Sequence, residues 1–488
     1  MTRCTLPLAL VVLFSATILV SQLTSTAPAP LSPFAPIQLP ITVHRSLPVI
    51  SSSSRERAPG SRITLGDCGQ IGFSVPLTIG TGATAQTFQV VLDTGSGLAA
   101  VVSSLCPAAT CLNASPVYTL TSTAIDPDLP LHQSYGQGSW SGPGYLDTLS
   151  LGGIAPVPRV LFGAMITQRD FLPTDNCQMT QVTPTPLQGI VGMGFTTVSD
   201  YPSYATLLGE AFALQLCESG GQLWIGADSI NQTLLTSPLL YAPLASNESE
   251  RFYYSIAVSG LYLNGTLLAT QETAPSFSSA IVDSGTTLNL LPPDVYSAFV
   301  DLLESNTAFS SAFPQLLQDP SGCFPTSSST ATLNDELPRM AWEINGQTFT
   351  LTPVDSYLRQ IFVDSEVYYC LGIGSASSDL EPDMDTILGW ATLNQFITVY
   401  DQPNERVGFA STTSCQNTWS AAAWSLCLPS CGNGTQTTQL TCVNQLGVEV
   451  PANACQTQPP PTTQACSNGP CFNPGGPIRN ASNTDQSL

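Results

Sequence analysis

The stretch Phe88-Gln-Val-Val-Leu-Asp93-Thr-Gly-Ser-Gly97 decides the fold of this 488-residue chain. Three apolar residues run directly into an acid, which predicts a buried strand that ends at Asp93. A carboxylate at the end of a buried strand is costly unless it is hydrogen-bonded. Thr94 and Ser96 supply hydroxyl groups for that purpose, and Gly95 permits a sharp turn and a close backbone approach.

The same design recurs at Ala280-Ile-Val-Asp283-Ser-Gly-Thr-Thr287. Here the acid is followed by Ser284, Gly285 and Thr286, which offer two hydroxyls and the same turn. The acids lie 190 positions apart (283 − 93), about the length of one domain. One such loop is commonly a structural cap. Two loops, each behind an apolar strand, indicate an internally duplicated protein with paired carboxylates.

At these residues the chain resembles the pepsin-like aspartic proteases, whose two lobes each offer one Asp-(Thr/Ser)-Gly-(Ser/Thr) loop. The resemblance covers about residues 67 to 415 and implies an all-β, bilobal fold. It also implies that Asp93 and Asp283 are catalytic and share a proton. The residues that would support this dyad are Thr94, Gly95, Ser96, Ser284, Gly285 and Thr286.

Further motifs follow in the order of that family. Residues 133–142 resemble its flap hairpin, with Tyr135 and Gly136 as substrate-binding residues. Residues 189–194 and 387–389 resemble the apolar-Gly segments behind each catalytic loop, and 399–410 the closing hairpin. The resemblance implies lobes at 67–240 and 241–415, peptide or protein substrates, and a monomer that needs no cofactor and no metal.

The composition provides few of the residues that other classes of hydrolase need for catalysis. The only histidines are His44 and His132, and His44 lies in a segment that we expect to be removed. A Ser–His or Cys–His mechanism would rest on His132 alone, and a zinc site would lack its usual ligands. The competing hypothesis is a catalytically silent protease fold used for binding or adhesion.

Some departures from the family pattern keep that hypothesis open. Where many relatives have a tryptophan that holds the flap tyrosine, this chain has Ala99-Ala100-Val101, which predicts a less constrained Tyr135. Gln188 and Trp390 stand where pepsin has acids beside the Gly motifs. The clearest helix signal is Asp294, predicted as the N-cap of a helix over 295–303.

The charge balance excludes several partners. The formal net charge is −22, the pI is about 4.1, and all twelve basic residues are arginine. Nucleic acids and anionic membranes are bound through a net excess of cationic side chains, and here the acids outnumber them by 34 to 12, so we expect neither as a partner. Few basic groups also limit the positive charge that accumulates in acid, although an acidic, soluble surface alone would explain the same composition.

The N-terminus has secretory-signal architecture, with Arg3 ahead of an apolar run, and we assign residues 1–25 to a signal peptide. An uncleaved signal anchor is the alternative. Residues 26–66 contain four of the twelve arginines and resemble an inhibitory prosegment, with Arg45 as the candidate blocking cation; a disordered spacer is the alternative. Cleavage near Arg55-Glu-Arg57 predicts a mature N-terminus between 55 and 70. We expect a protein that is secreted or lies in a secretory-pathway or vacuolar lumen.

Fifteen cysteines indicate an oxidising compartment, and removal of Cys4 leaves fourteen. The resemblance implies the pairs Cys106–Cys111 and Cys323–Cys370, and relatives similar to beta-secretase suggest Cys217–Cys415. Cys68 then remains for Cys177. The sequence by itself permits other pairings among Cys68, Cys177, Cys217 and Cys415.

Residues 416–471 resemble a thrombospondin type 1 repeat, which implies the pairs Cys427–Cys466, Cys431–Cys471 and Cys442–Cys455. The segment 435–441 lacks the arginines that this family stacks between tryptophans. A heparin-like partner is therefore not expected, although a matrix or cell-surface partner stays open. Ser430 fits the O-fucose pattern, and residues 472–488 are expected to be a disordered tail. N-glycosylation sequons stand at Asn113, Asn231, Asn247, Asn264, Asn433 and Asn480.

Overall fold

A computed structural model describes part of the chain between residues 37 and 470. The described residues are 37–45, 63–64, 71–111, 115–136, 138–152, 156–172, 187–196, 198, 200–218, 220–226, 230–245, 252–270, 272–274, 277–320, 322–363, 366–376 and 386–470. Every described residue belongs to one compact unit, Pro36–Leu488. The predicted signal peptide and tail lie outside the described residues.

Short strands dominate the first half of the chain, as its alternating sequence and frequent turns predict. They are β1 (Ile37–Arg45), β2 (Ile63–Thr64), β3 (Ile71–Ile79), β4 (Gln86–Asp93), β5 (Ala99–Val102), β6 (Ile125–Ser134), β7 (Ser139–Leu151), β8 (Val157–Met165), β9 (Thr167–Arg169), β10 (Gly189–Gly192), β11 (Phe212–Cys217), β12 (Gly220–Ile225) and β13 (Leu240–Pro243).

The second half repeats this pattern and ends in the small C-terminal domain. Its strands are β14 (Ser255–Leu263), β15 (Thr266–Ala269), β16 (Ser279–Val282), β17 (Asn289–Leu291), β18 (Gly322–Phe324), β19 (Met340–Ile344), β20 (Gln347–Leu351), β21 (Leu358–Val363), β22 (Glu366–Leu371), β23 (Ile373–Ser375), β24 (Ile387–Leu388), β25 (Phe396–Asp401) and β26 (Arg406–Ser411). The C-terminal domain adds β27 (Thr418–Ala421), β28 (Asn433–Thr437), β29 (Leu440–Val443) and β30 (Thr463–Ser467).

Two main sheets form the bilobal body. A fourteen-stranded sheet runs in the order β13-β26-β25-β11-β12-β1-β3-β4-β10-β5-β8-β7-β6, with β9 beside β7. An eight-stranded sheet runs in the order β20-β19-β14-β16-β24-β17-β23, with β15 beside β14. The first sheet contains the strand that leads to Asp93, and the second contains the strand that leads to Asp283. The predicted all-β, bilobal fold is confirmed.

Five helices are present among the described residues: α1 (Tyr204–Leu208), α2 (Pro293–Ser305), α3 (Thr307–Ala312), α4 (Thr330–Glu336) and α5 (Trp390–Leu393). The prediction of Asp294 as an N-cap is wrong. Helix α2 begins at Pro293, and its N-cap is Pro292, which makes no side-chain capping bond. Proline suits this first position because its missing N–H would have no partner within the helix. Asp294 lies instead in the first turn, where a negative charge is favourable.

Five disulfides join described residues, and each is a pair expected from the resemblance. They are Cys106–Cys111, Cys217–Cys415, Cys323–Cys370, Cys427–Cys466 and Cys442–Cys455. Cys431 is also disulfide-bonded, and its predicted partner Cys471 lies outside the described residues. The predicted pair Cys68–Cys177 lies outside them as well.

Strand β1 falls inside the predicted prosegment and is hydrogen-bonded within the largest sheet. Its first half, Ile37 to Ile41, pairs with β12, and its second half, Thr42 to Arg45, pairs with β3. The side chains of Leu39 and Ile41 are buried in the main apolar core. For these residues, therefore, a disordered spacer is the wrong description.

The C-terminal domain packs against the second lobe through buried polar and apolar groups. The Asn334 amide on α4 donates to Gln456 Oε1 at 2.7 Å, and Gln456 Nε2 donates to Asp355 Oδ2 at 2.5 Å. Ala454 is fully buried and belongs to the same apolar cluster as the protease lobes. The repeat is thus continuous with the body. Among the described residues, no helix is long and apolar enough to cross a membrane.

This contact creates an unusual environment for Asp355. Burial, and secondarily the negative charge of Glu218, raises the pKa of Asp355 from its ordinary value of 3.8 to about 7, while the Gln456 hydrogen bond acts in the opposite direction. The buried Arg359 guanidinium also interacts with Glu218, and burial lowers the pKa of Arg359 to about 10. Because the folded state holds the Asp355 proton more tightly than the unfolded state, this group favours folding at acidic pH. That contribution is lost as the pH rises through about 7.

We predict that Asp355→Asn stabilises the protein at pH 8 by roughly 1–2 kcal/mol and leaves its stability at pH 4 nearly unchanged. The neutral amide removes the penalty of an ionised side chain near Glu218 while keeping an oxygen for Gln456. Chemical unfolding at the two pH values measures the difference.

Asp335→Asn is the matched control, because Asp335 lies exposed on the same helix as Asn334. It should leave the pH dependence of unfolding as in the wild type. An Asp355→Asn protein with the wild-type pH dependence would contradict the prediction.

Candidate active site

The first catalytic loop leaves β4 at a carboxyl group that is only 5% exposed. The backbone N–H of Gly95 donates to Asp93 Oδ1 at 2.9 Å, and the Ser96 hydroxyl donates to Asp93 Oδ2. The buried carboxyl thus receives the hydrogen bonds that the sequence led us to expect. They orient it without neutralising it.

The second loop repeats this geometry at the end of β16. Asp283 is 8% exposed; Gly285 N donates to its Oδ1 at 2.7 Å, and the Thr286 hydroxyl donates to its Oδ2 at 2.5 Å. In each loop a glycine N–H and the next hydroxyl hold the two oxygens of one carboxyl group. The internal duplication is therefore visible at the level of single hydrogen bonds.

The two loops are tied together by four reciprocal hydrogen bonds. The Thr94 hydroxyl donates to Val282 O at 3.0 Å and accepts from Ser284 N at 2.9 Å. The Ser284 hydroxyl donates to Leu92 O at 2.8 Å and accepts from Thr94 N at 3.1 Å. Both side chains are buried, so water cannot replace these bonds at low cost.

This arrangement brings the two carboxyl groups face to face. A methyl group on Gly95 would lie 2.7 Å from Asp283 Oδ2, and one on Gly285 would lie 2.4 Å from Asp93 Oδ1. The side chains of the two acids are close enough to share a hydrogen bond. Burial, and secondarily the charge of Asp283, raises the pKa of Asp93 well above its ordinary value.

The two apolar-Gly segments support the loops from behind. Strand β10 runs parallel to β4 with Gly192 opposite Asp93, and Met193 N donates to Asp93 O at 2.6 Å. Strand β24 runs parallel to β16, and Asp283 N donates to Leu388 O at 3.1 Å. Each aspartate is therefore fixed by its backbone as well as by its side chain.

Aromatic side chains form an apolar floor below the dyad, and sequence reasoning assigned none of them to the site. Tyr400 stacks on Phe212 with ring centroids 4.9 Å apart and meets Tyr254 edge-on at 4.7 Å. All three are buried. The Tyr400 hydroxyl lies 3.5 Å from the Thr94 hydroxyl. These rings therefore lie directly behind the Thr94 side chain, next to the first catalytic aspartate in the sequence.

Tyr135 lies in the turn of the β6–β7 hairpin, as the resemblance implies. Its backbone N–H donates to Gly138 O at 3.0 Å, and its ring stacks on Phe171 at 4.9 Å. Gly136, next to it, is exposed. Burial raises the pKa of Tyr135, and the phenol interacts with both Ser96 and Asp93. The hairpin tyrosine therefore lies beside the first catalytic loop.

The expectation of a less constrained Tyr135 is wrong. The indole N–H of Trp140 donates to the Tyr135 hydroxyl at 3.1 Å. This tryptophan lies on the hairpin itself, five residues after Tyr135, and not at positions 99–101, where the family pattern places it. The available signal was a lone tryptophan among the small residues Ser139, Ser141 and Gly142 at the start of β7.

The two other departures from the family pattern, Gln188 and Trp390, have structural roles. Gln188 is buried, accepts from Gln89 N at 2.5 Å and donates to Ser115 O at 2.9 Å. The buried Trp390 indole donates to Leu216 O at 2.9 Å. Because both side chains make structural hydrogen bonds, neither departure is evidence that the dyad is inactive.

The predicted modification sites are exposed wherever they are described. Asn231, Asn264, Asn433 and Ser430 lie at the surface. Asn113, Asn247 and Asn480 lie outside the described residues.

Comparison with known proteins agrees with this geometry. The family described as "Eukaryotic aspartyl protease" matches residues 74–412, and "Thrombospondin type 1 domain" matches residues 419–471. An aspartic protease of Phaffia rhodozyma is 28% identical over 369 residues, which cover 73% of this chain and 80% of that protein. Polyporopepsin of Irpex lacteus is 28% identical over 353 residues, which cover 69% of this chain and 94% of that protein. Pepsin A of Bos taurus is 27% identical over 347 residues, which cover 68% of this chain and 82% of that protein.

We predict that Ser284→Ala destabilises the protein by about 2–4 kcal/mol. The change removes a buried donor to Leu92 O and leaves the buried Thr94 N–H without its acceptor. Chemical unfolding measures the loss. Ser259→Ala is the control, because Ser259 also donates to a backbone carbonyl but lies exposed. Equal stability changes in the two variants would contradict a special role for the buried cross-lobe bonds.

Proposed function

Because the chain belongs to the eukaryotic aspartyl protease family and carries a thrombospondin type 1 domain, we propose that it is an active aspartic endopeptidase made as a zymogen. The observation that carries this proposal is the pair of buried carboxyl groups, each hydrogen-bonded by its own loop and facing the other. No feature of the dyad favours the catalytically silent alternative.

The proposed chemistry needs one proton on the pair. Two carboxyl groups this close cannot both ionise cheaply, and the raised pKa of Asp93 fits a proton shared between them, as is general for aspartic-protease dyads. The ionised member takes a proton from a bound water, which attacks the peptide carbonyl carbon. The protonated member polarises the carbonyl oxygen and later helps to protonate the leaving nitrogen.

Neighbouring side chains would orient these groups. The hydroxyls of Ser96 and Thr286 each donate to one aspartate and fix the plane of its carboxyl group. Tyr135, on the hairpin beside the first catalytic loop, would close on the substrate and exclude water. The substrates that this arrangement suits are extended peptides or protein segments.

The proposed zymogen rests on residues 26–66. We propose that cleavage near Arg55 to Arg57 yields a mature chain with lobes at 67–240 and 241–415 and the repeat at 416–471. Because β1 is hydrogen-bonded to β12 and β3, cutting the chain after it would not by itself release it.

We propose a secreted or lumenal monomer, since disulfides persist in such compartments. The repeat would offer its exposed face to a matrix or cell-surface partner. That partner would not be a heparin-like polymer, because the repeat lacks the needed arginines.

The direct test is cleavage of a denatured protein at pH 3 to 5 by the purified, processed chain. We expect activity that pepstatin inhibits and that Asp93→Asn lowers by about 10³-fold or more. Activity should decline toward neutral pH, because the shared proton is lost as the pH rises through the raised pKa of Asp93. Activity that survives both pepstatin and Asp93→Asn would reject the mechanism. Correctly processed protein without activity would favour the silent fold.

We predict that the mature N-terminus lies between residues 55 and 70. N-terminal sequencing of secreted protein measures it, and a start near residue 28 would contradict the prediction. If cleavage occurs at neutral pH, we expect the fragment that contains β1 to co-purify with the body, because its strand pairs remain intact.

A further inference from the structure

Gln456 of the C-terminal repeat uses both ends of its side-chain amide on the second lobe. Its Nε2 donates to Asp355 Oδ2 at 2.5 Å, and its Oε1 accepts from Asn334 Nδ2 at 2.7 Å. Its backbone is fixed within the repeat, because Gln456 N donates to Asn417 O at 3.1 Å and the adjacent Cys455 is disulfide-bonded. The repeat thus presents one firmly held, buried side chain to the turn that contains Asp355.

That turn has an unusual backbone and is held from two sides. Asp355 has a φ of 70°, in the left-handed region that aspartate adopts more readily than most residues. Asp355 N donates to Leu358 O at 2.7 Å, and Val354 N donates to Asn334 Oδ1 at 2.9 Å. Asn334 on α4 therefore bonds both the turn and Gln456. The repeat and α4 together fix the position of Asp355.

The same turn holds the end of α5. The backbone carbonyl of Asp355 accepts from Asn394 Nδ2 at 2.9 Å and from Gln395 Nε2 at 3.0 Å, both just after the last residue of the helix. Gln395 Oε1 also accepts from Thr352 N at 3.0 Å. Through its side chain and its carbonyl group, Asp355 therefore joins Gln456 of the repeat to α5.

The beginning of α5 supports the second catalytic loop. Trp390 N donates to Thr286 O at 2.8 Å, and Ala391 N donates to Thr287 O at 3.1 Å. These N–H groups lie in the first turn, where a helix has no partner of its own for them. Thr286 is the residue whose hydroxyl fixes Asp283 Oδ2. A displacement of α5 would therefore move the group that orients the second catalytic carboxyl.

From these contacts we propose that Gln456 of the repeat is a positioning residue for the peptidase: it holds the Asp355 turn, which holds α5 and thereby orients the catalytic loop at Asp283. The inference rests on the proposed peptidase function and gives the repeat a part in catalysis without any contact with substrate. Helix α5 has a further support, since the Trp342 indole donates to the Thr392 hydroxyl at 3.1 Å. Loss of Gln456 should therefore weaken catalysis without abolishing it.

Gln456→Ala in the full, processed chain removes the contact. We expect kcat on a peptide substrate at pH 4 to fall about threefold to tenfold, as for the loss of one hydrogen bond. KM should change less than about twofold, because the change lies away from the hairpin that closes on substrate. A wild-type kcat, or a loss that appears only in KM, would overturn the positioning role.

Gln445→Ala is the matched control. Gln445 is another glutamine of the repeat that contacts the body, but it lies against the first lobe, where a methyl group on Gly220 would be 3.3 Å from its Nε2. We expect wild-type kcat and KM. Equal losses of kcat in the two variants would show that docking of the repeat matters in general and would overturn the assignment to Gln456.

Gln456→Glu supplies a rescue that depends on pH. At pH 3.5, below the ordinary pKa of glutamate, the introduced carboxyl is protonated, so it can donate to Asp355 while its other oxygen accepts from Asn334. We expect a kcat close to that of the wild type at this pH. A loss as large as that of Gln456→Ala would contradict the inference, because the donor to Asp355 is then present without effect.

Hydrogen exchange at the amides of Trp390 and Ala391 separates this inference from the proposed function. Wild-type activity that is absent, or that survives Asp93→Asn, rejects the function, whereas exchange needs no activity. Gln456→Ala should speed exchange of these two amides about tenfold, and Gln445→Ala should not. Gln456→Glu should match the wild type at pH 3.5 and Gln456→Ala at pH 8, where the ionised carboxyl no longer donates. Unchanged exchange in Gln456→Ala would overturn the inference.

Discussion

Four hydrogen bonds between residues 92–94 and 282–284 hold the two halves of the duplicated body at one point. They come from only two hydroxyl side chains, those of Thr94 and Ser284, and each side chain both donates and accepts. The bonds fix the distance between Asp93 and Asp283, and that distance decides whether the acids share a proton. The glycines beside the acids keep the space between them open, because any side chain there would occupy the position of a carboxyl oxygen.

The same physical condition, a carboxyl group kept from water near another negative group, occurs twice in this protein. At the dyad, burial and the neighbouring Asp283 raise the pKa of Asp93. At the junction with the repeat, burial and Glu218 raise the pKa of Asp355. Both effects favour the folded, protonated form in acid. A chain with 34 acidic and 12 basic residues therefore has local reasons, as well as an overall charge, to suit acidic conditions.

The C-terminal repeat is part of the body by its packing as well as by its connection to the chain. Its fully buried Ala454 and its Gln456 contact the second lobe, and two described disulfides hold its strands. A small domain has little core of its own, so contact with a larger one adds to what the disulfides supply. The exposed remainder, including Trp424 and Leu426, lacks the cation ladder usual for this kind of repeat.

The sequence by itself determined the duplication, the two acids, the loop residues that hold them and the all-β class. These features are local, since an apolar strand, an acid and a turn follow one another within ten residues. Tertiary structure alone decided the partners that come from distant parts of the chain: the floor around Tyr400, the Asp355 junction, and the close packing of Trp140 against Gly163. Hydrophobic burial is non-directional, so a sequence shows that a tryptophan will be buried but not which slot accepts it. Only the folded chain specifies which hydroxyl its N–H then meets.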